Sequence, residues 1–349
     1  MKSEEIAKLA GVSRSTVSRV INNYSNVPEE TREKVMKVIE ACGYEPNTSA
    51  RVLAGKGTNT LGLFVVSIAD KGNPNRIYQN NYFAPFVDAV VDTANAMGYY
   101  VLIHTVYSRE DYGRVKQAFL QKRIDAGIIL GTEKDTVMVM DIAQKGYPFA
   151  IIDYDLEEIT RSKLDSTSLV MINSMDYDGT VKAVNYLLEM GHRDIGIITG
   201  RLNTYSGRQR FNAYEHTLLE NGIKINKNHV LKGDFLKRKA YAETKKLIQS
   251  GKLPTALFVC NDDMALSAME ALKEEGIRIP EDISLIGFDD VPVASQLKPA
   301  LTTIRVPVYE MAKKAVEELI HGVEEGNQGF SAHSFPTQLI QRETVARRA

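Results

Sequence analysis

Apolar residues near the start of the chain recur with helical spacing in three short segments. Positions i, i+3 and i+4 lie on one face of an α-helix, so each segment can present an apolar stripe. Gly11 suits a tight turn after the first segment, and the Ser13 hydroxyl suits an N-cap of the second. The spacing predicts a small helix-turn-helix domain over residues 1–45, built on Ile6, Leu9 and Ala10, on Val17, Val20 and Ile21, and on Val35, Val38, Ile39 and Cys42.

The pattern changes at about residue 60 to short apolar runs separated by amphipathic helices. Runs such as LGLFVVSI, AGIIL, IGIITG and ALFVCN are apolar at nearly every position, which is typical of parallel strands covered on both faces. We therefore predict a core of two doubly wound α/β subdomains. The N-subdomain should comprise about 60–163 and 291–322, and the C-subdomain about 164–290 and 323–349.

Residues 46–59 connect the two parts. Pro46 and Asn47 can begin a helix, and Gly55 and Gly57 can end it. A helix of barely two turns is marginal in water. We predict a hinge helix that forms only when something holds it.

Composition argues against several classes of protein. The net charge of −1 disfavours a uniformly basic nucleic-acid binder but leaves room for a local basic patch. Cys42 and Cys260 are far apart, and the six histidines show no metal-ligand spacing, so we expect no disulfide, metal or cofactor. The absence of a GxSxG motif, and of a GxGxxG motif after a strand, leaves a catalytic site unsupported. Without a secretory signal or a membrane-spanning run, we expect a cytoplasmic protein with no membrane contact.

The second helical segment, within LAGVSRSTVSRVINN, has a polar face without a carboxylate. Because Val17 and Val20 face the small core, the opposite side is cationic and rich in hydroxyls, which suits the major groove of DNA. Arg14 and Arg19 can donate paired hydrogen bonds to guanine. The alternative is an ordinary solvated helix, but turn, cap, stripe and charge together favour DNA binding by Arg14, Ser15, Ser18, Arg19 and Asn22. The hydroxyls of Ser13, Thr16 and Ser18 suit contacts to phosphates.

These segments resemble the LacI/GalR family of bacterial transcription regulators. IAKLAGVSRSTVSRVINN is followed by VPEETREKV, GYEPN and ARVLAGK, and later by GHRDIGIITG, GRQRFNAY, PTALFVCNDDMALSAMEAL, PEDISLIGFDD and LTTIRVP, in family order over essentially the whole chain. The resemblance implies a helix-turn-helix headpiece with a hinge helix, followed by a core similar to a periplasmic binding protein.

The resemblance also implies roles in DNA binding. Arg14 and Ser15 occupy the pair that sets operator preference, and Arg19 matches a base-contacting arginine. Asn22, Tyr44 and Asn47 match positions that touch the DNA backbone. Leu53, with Ala50 nearby, matches a leucine that enters the minor groove beside its dimer mate, although it could instead pack on the core.

Two consequences follow from this match at the head of the chain. Paired leucines in the minor groove imply a homodimer that binds a near-palindromic site on double-stranded DNA.

The chain departs from the family at Lys2 and Ser3, where a threonine and an apolar residue are usual. We still expect Ser3 to cap the first helix.

Polar residues stand just beyond predicted strand ends, where ligands bind in open α/β sheets. Asp153, Asn261 and Asp289 follow strands, and Arg210 follows early in a helix. Carboxylate, amide and guanidinium groups suit vicinal hydroxyls, so a sugar is indicated. Each could alternatively cap a strand or helix, but the resemblance implies that all four line an effector cleft. In the long loop 69–83, Tyr82 and Phe83 match the aromatic part of the family motif best, so we expect them at the mouth of the cleft. The alternative is that this loop is an exposed elaboration.

Together these features predict a repressor of carbohydrate-utilisation genes whose operator affinity is controlled by a sugar. A purine, or a phosphoprotein corepressor, could act on the same architecture instead. A periplasmic transport component would lack the DNA-binding head and carry a signal peptide. A sugar-metabolising α/β enzyme is a further alternative, and turnover would reveal it.

Overall fold

The computed structural model describes residues 1–21, 24–44, 57–67, 80–131, 136–164, 168–326 and 329–348. Its N-terminal domain contains helices α1 (Ser3–Ala10), α2 (Arg14–Ile21) and α3 (Glu29–Cys42). Ile6, Val17 and Val35 are fully buried at the centre of this domain. Leu9 does not join them, because Ala7 completes the buried face of α1 and leaves Leu9 59% exposed. The predicted three-helix domain is confirmed, with that one correction.

The turn between α1 and α2 follows the sequence prediction. Gly11 adopts a left-handed conformation with φ of 62° and ends α1, and the Ser13 hydroxyl accepts a hydrogen bond from the Thr16 N–H at 3.0 Å. The predicted cap by Ser3 is wrong. Ser3 is already inside the helix, and the Glu5 carboxylate accepts from the Lys2 N–H at 2.7 Å. The acidic first turn therefore supplies the cap that the hydroxyl was expected to supply.

The core of the protein alternates strands and helices. Its strands are β1 (Thr60–Val66), β2 (Tyr100–Val106), β3 (Ala126–Leu130), β4 (Phe149–Ile152), β5 (Leu169–Ser174), β6 (Ile195–Thr199), β7 (Val230–Lys232), β8 (Ala256–Val259), β9 (Ser284–Ile286), β10 (Thr303–Arg305), β11 (Ser331–Phe335) and β12 (Gln338–Ile340). Its helices are α4 (Phe83–Ala96), α5 (Tyr112–Leu120), α6 (Thr136–Ala143), α7 (Leu156–Arg161), α8 (Asp176–Glu189), α9 (Tyr205–Glu220), α10 (Lys237–Gln249), α11 (Asp262–Glu274) and α12 (Val308–Glu325).

Two parallel sheets form two units, which confirms the predicted fold class. The first sheet has the order β11-β5-β4-β3-β1-β2, and the second has the order β7-β6-β8-β9. The antiparallel pair β10-β12 adjoins the second sheet, because Thr302 bridges to Ile286 and Arg305 bridges to Asp289. The buried strands β3, β4 and β5 are apolar at nearly every position, as expected for parallel strands covered by helices on both faces.

The predicted boundaries of the subdomains need correction. We assigned 164–290 and 323–349 to the C-subdomain, but β5 pairs with β4 and β11 pairs with β5, so both belong to the first sheet. We assigned 291–322 to the N-subdomain, but the part up to β10 adjoins the second sheet. The chain therefore crosses between the units near residues 175, 307 and 336. The apolar pattern of a strand such as β5 carries no local signal of the sheet that it joins, and β11, with the partly exposed sequence SAHSF, has no apolar pattern at all.

Further expectations from composition concern thiols and membranes. Cys260 is buried and Cys42 is half-buried, and both are free thiols. Within the ranges that the structure describes, no helix combines the length and apolar character needed to cross a bilayer. In the same ranges, no three histidine, cysteine or acidic side chains are grouped to hold a metal ion.

Candidate DNA-binding surface and effector cleft

The polar face of α2 is exposed on the side opposite the small core. Ser13, Arg14, Ser15, Ser18 and Arg19 are exposed, and Thr16 is half-buried. No acidic residue lies in the first turn of α2, and Arg19 lies in its last turn. The structure thus places six of the predicted DNA-binding residues on one turn and one helix face, where they form a cationic surface.

Arg14 already has protein partners at this surface. Its Nε donates to the Ser3 hydroxyl at 3.3 Å, and its Nη1 lies 3.4 Å from the Glu4 carboxylate. Both side chains of this ion pair are more than 60% exposed, and exposed pairs of this kind contribute only about 0–1 kcal/mol. The pair therefore holds Arg14 only weakly, and its side chain stays accessible at the surface.

The remaining predicted DNA-binding residues lie elsewhere. Tyr44 follows Gly43 at the end of α3, where its N–H donates to the Ile39 carbonyl at 3.0 Å and its side chain packs against the small core. Four further residues lie outside the described residues, namely Asn22, Asn47, Ala50 and Leu53. Most of the loop 69–83 also lies outside them, and only residues 80–83 can be placed.

All six predicted effector residues line one cavity between the two units. Tyr82 and Phe83 approach from the start of α4, and Asp153 follows β4. Asn261 and Asp289 follow β8 and β9, and Arg210 projects from α9. The sequence analysis missed other residues in the lining of this cavity, including Ser67, Asn80, Arg201, Thr204, Ser206 and Phe235.

Arg210 is the buried centre of the polar floor. Its Nε donates to Asp176 Oδ2 at 3.1 Å, and its Nη1 lies 3.5 Å from Asp289 Oδ1 and also donates to the Cys260 carbonyl. The guanidinium stands 3.7 Å from the centroid of the Phe288 ring. Burial alone would lower the pKa of Arg210, but Asp176 and Asp289 raise it. The cation is therefore held in one orientation before any ligand arrives.

Asp153 is the carboxylate best placed to accept from a ligand. Tyr82 donates to its Oδ2 at 3.2 Å, whereas its Oδ1 is buried with no hydrogen-bond partner among the described residues. Burial, followed by repulsion from Asp176, raises the pKa of Asp153 to about 7. A hydroxyl donor in the cavity would satisfy the second oxygen and favour the ionised form.

Asn261 and Asn80 each use the side-chain oxygen to accept hydrogen bonds from backbone N–H groups. Asn261 Oδ1 accepts from the Met264 N–H at 3.0 Å and caps α11, as the alternative interpretation allowed. Asn80 Oδ1 accepts from the Tyr82 and Phe83 N–H groups at 3.0 and 2.8 Å. These bonds fix both amides at the cavity wall, so their NH₂ groups are the atoms that remain to donate to a ligand.

The backbone is strained around the cavity. Asp153 and Asp289 have φ angles of 57° and 115°, and Asp234 and Phe235 have 55° and 58°. Left-handed φ values are unusual for residues other than glycine and cluster at ligand sites. Gly200 allows the Phe235 ring to lie against the end of β6, because a Cβ there would come within 2.1 Å of the ring. The surrounding fold thus maintains strained backbone at positions whose side chains place two carboxylates and one aromatic ring at the cavity.

Asp176 and Phe235 could have been found from the sequence. Asp176 follows β5, and Phe235 follows β7 by three residues, so the rule that ligands meet strand ends applies to both. Asp176 was missed because the sequence analysis did not single out LVMINS, which forms β5, as a strand. Ser67 and Arg201 also follow strands, β1 and β6, within two residues, so the same rule applies to them. Asn80 precedes α4, and Thr204 and Ser206 cap and begin α9, so the strand-end rule does not reach them.

Polar contacts join the two units on either side of the cavity. Arg208 Nη2 on α9 lies 3.0 Å from Asp155 Oδ2, which belongs to the first unit. Asn81, also of the first unit, donates from its backbone N–H and its side chain to Asp263 on α11. Lys237 reaches Asp263 at 3.0 Å. We call the Asp155–Arg208 and Asn81–Asp263 contacts the two clasps.

Comparison with known proteins gives concordant matches for both parts of the chain. Residues 4–47 match a family model described as bacterial regulatory proteins of the lacI family, and residues 184–345 match a periplasmic binding protein-like domain. The HTH-type transcriptional repressor PurR of Haemophilus influenzae (strain Rd) is 32% identical over 350 residues, which cover 98% of each chain.

Solved structures match over nearly the whole length as well. A structure of the lac repressor dimer bound to operator and the anti-inducer ONPF has a TM-score of 0.79 and 29% identity, and 99% of each chain is covered. A complex of the transcriptional regulator CelR with cellobiose has a TM-score of 0.74 and 27% identity, with the same coverage.

Proposed function

The chain belongs to the LacI family of bacterial regulatory proteins, and from this premise we propose that it is a repressor whose affinity for its operator is controlled by a small sugar bound in the cleft. It is a DNA-binding transcriptional regulator. The observation that carries the sugar assignment is the convergence of Asp153, Arg210, Asn261 and Asp289 on one cavity with aromatic walls. Hydroxyls on adjacent carbons need paired acceptors and donors of this kind, and the apolar face of a sugar ring packs on aromatic rings.

For the DNA-binding surface we propose the following division of roles. Arg14, Ser15 and Arg19 contact base edges, and the hydroxyls of Ser13, Thr16 and Ser18 contact phosphates. Tyr44, Asn22 and Asn47 contact the DNA backbone. Leu53, with Ala50 beside it, enters the minor groove. These roles require two copies of the chain on a near-palindromic site.

An exposed apolar edge of the core supports a homodimer. The strand β2 lies at the edge of the first sheet, and its Tyr100 is 75% exposed, with Leu102 and Ile103 also exposed. An exposed apolar edge strand tends to pair with another chain. We propose that a second copy covers part of this edge, as befits a relative of a repressor that is itself a dimer.

Binding and coupling make up the whole of the proposed activity, without chemical turnover. A sugar that contacts both units changes their relative position and so shifts the population that holds DNA. Coupling of about 1–3 kcal/mol is enough to change operator affinity by roughly 5–150-fold. We place this activity in the bacterial cytoplasm, where the operator is.

The first test is a thermal-shift screen of the purified protein against neutral monosaccharides, disaccharides and purines. We expect a sugar to raise the melting temperature, because ligand binding stabilises the folded state. The same sugar should change operator affinity in fluorescence anisotropy. Stabilisation by purines alone would replace the sugar with a purine as the effector.

A pair of variants tests the location of the site. Asp289→Asn removes a charged acceptor at the cavity floor and should abolish the sugar response while operator affinity remains. Asp178→Asn, on the exposed surface of α8, is the matched control and should behave as the wild type does. A full sugar response in Asp289→Asn would show that the sugar binds elsewhere.

A further inference from the structure

Asp125 lies at the point where the chain enters the core from the DNA-binding head. It directly precedes β3, and its backbone N–H donates to the Thr60 carbonyl at 2.8 Å. Its carboxylate accepts from the Thr58 N–H at 2.7 Å and from the Thr60 N–H at 3.4 Å. Charge-assisted bonds to backbone N–H groups are stronger than neutral ones. One carboxylate therefore binds both ends of the turn that leads into β1.

Gly57 shows how closely the chain approaches this carboxylate. A Cβ on Gly57 would lie 2.7 Å from Asp125 Oδ2 and 2.9 Å from Cγ. Asn59, two residues later, has a left-handed φ of 51°. The backbone of residues 57–60 thus passes around Asp125, and a side chain at position 57 would force the Asp125 carboxylate to move.

The strands that leave this point end at the effector cleft. β1 and β3 are neighbours, with Leu61 opposite Ala126 and Val65 opposite Leu130. Ser67, which follows β1, and Leu130 and Gly131, at the end of β3, line the cavity. At about 3.3 Å per residue, Asp125 and the cavity lie at opposite ends of the same strands, about 20 Å apart.

We propose that Asp125 is a positioning residue that couples the linker to the cleft. Through its hydrogen bonds, the strands that contact the effector determine the direction in which the linker leaves the core. This inference rests on the proposed function. Asp125 would contact neither DNA nor effector. The coupling between effector binding and operator affinity would instead depend on its carboxylate and on the adjacent Gly57.

The experiment uses the full-length protein and measures operator affinity by fluorescence anisotropy, with and without the stabilising sugar. Asp125→Ala should weaken specific operator binding by about tenfold, which corresponds to about 1.4 kcal/mol, and should reduce the effect of the sugar on operator affinity. Its sugar affinity should match the wild type. Asp125→Asn keeps one oxygen for the Thr58 N–H and should show a smaller loss, which also covers the case that the alanine variant fails to fold.

A matched control comes from the second unit. Asp194 precedes β6 as Asp125 precedes β3, but its carboxylate pairs with His229 at 2.8 Å and contacts no linker residue among those described. Asp194→Asn should therefore leave operator affinity unchanged. Wild-type operator affinity in Asp125→Asn and Asp125→Ala would overturn the proposal. If no sugar changed the operator affinity of the wild-type protein, only the sugar assignment would fail. The operator affinity of the Asp125 variants without sugar would still test the role of Asp125.

A double-mutant cycle tests the contact itself. Gly57→Ala should weaken operator binding because its Cβ meets the Asp125 carboxylate. In the Asp125→Ala background the same substitution should cost much less, since the clashing atoms are gone. Independent losses that simply add would contradict the inference, because distant sites add and contacting sites do not.

Discussion

At the scale of single residues, the chain separates groups that recognise a ligand from groups that hold them in place. Arg14 in the N-terminal domain pairs with Glu4 where both side chains are exposed, whereas Arg210 in the core pairs with Asp176 where both are buried. The first arrangement suits exchange with solvent and bases. The second suits a floor that keeps one geometry.

Arg14→Ala should relax base preference at one position in each half-site. A bidentate arginine contributes about 1–3 kcal/mol of discrimination at its base pair, so binding to the preferred sequence should fall while binding to the variant sequence changes little. The measurement is anisotropy on operators substituted at single positions. Lys37→Ala removes an exposed cation from α3 and serves as control. Unchanged selectivity in Arg14→Ala would contradict the base contact.

Asp153 should make sugar binding depend on pH. Its pKa of about 7 in the ligand-free protein means that the carboxyl is largely protonated at pH 6 and ionised at pH 8. Hydroxyl donors favour the ionised form and lower this pKa, so sugar affinity should rise from pH 6 to pH 8 and then level off. Titration calorimetry at these pH values tests this expectation. The Asp153→Asn variant should lose both the affinity and its pH dependence.

The same pKa predicts the effect of Asp153 on stability. Because the folded protein holds this proton more tightly than the unfolded chain, the stability contributed by protonated Asp153 is lost as pH rises toward 7. Asp153→Asn should therefore raise the melting temperature at pH 8, and by less at pH 4.

Asp111 is the opposite case: although burial alone would raise its pKa, hydrogen bonds from Tyr107 and Ser108 lower it. Asp111→Asn should lower the melting temperature at pH 8, and an equal effect of both variants would contradict this account.

At the scale of helices and strands, the end of β6 determines the aromatic wall of the cleft. Gly200→Ala should displace the Phe235 ring, which a Cβ would meet at 2.1 Å, and should weaken sugar binding. Gly113 lies in α5 with nothing near its missing Cβ and an ordinary φ, so Gly113→Ala is the control and should stabilise by roughly 0.5–1 kcal/mol. Calorimetry and thermal unfolding measure the two effects, and wild-type sugar affinity in Gly200→Ala would show that the ring does not form the wall.

The sequence pattern predicted helices and strands better than their assembly. The period of apolar positions identified α1 to α3 and most of the buried strands, although not β5, because burial acts on each segment locally. It could not show that β5 and β11 join the first sheet, because sheet membership depends on distant partners. Because β5 was not recognised as a strand, the sequence analysis overlooked Asp176, which lies two residues after β5 and accepts from Arg210. Strand ends and family resemblance identified Asp153 and Asp289, whereas their strained φ angles became visible only in the structure.

At the scale of the whole molecule, the two clasps connect the units without a ligand. Each joins a residue of the first unit to a helix of the second, and the chain itself crosses between the units near residues 175, 307 and 336. A sugar between the units would bind the arrangement that the clasps favour. The clasps and the ligand should therefore stabilise the same arrangement of the two units, because a ligand shifts the population toward the arrangement that it binds.

Breaking one clasp should weaken sugar binding without altering the cavity floor. Arg208→Ala and Asp155→Ala each remove the 3.0 Å pair, whose side chains are about one-quarter to one-third exposed, so the loss should be modest, roughly two- to fivefold in affinity. The reversed pair Asp155→Arg with Arg208→Asp should recover part of it. Arg161→Ala breaks an ion pair with Glu158 inside one unit and should change nothing. If both single clasp variants bound sugar as the wild type does, the Asp155–Arg208 pair would not support the sugar-bound arrangement.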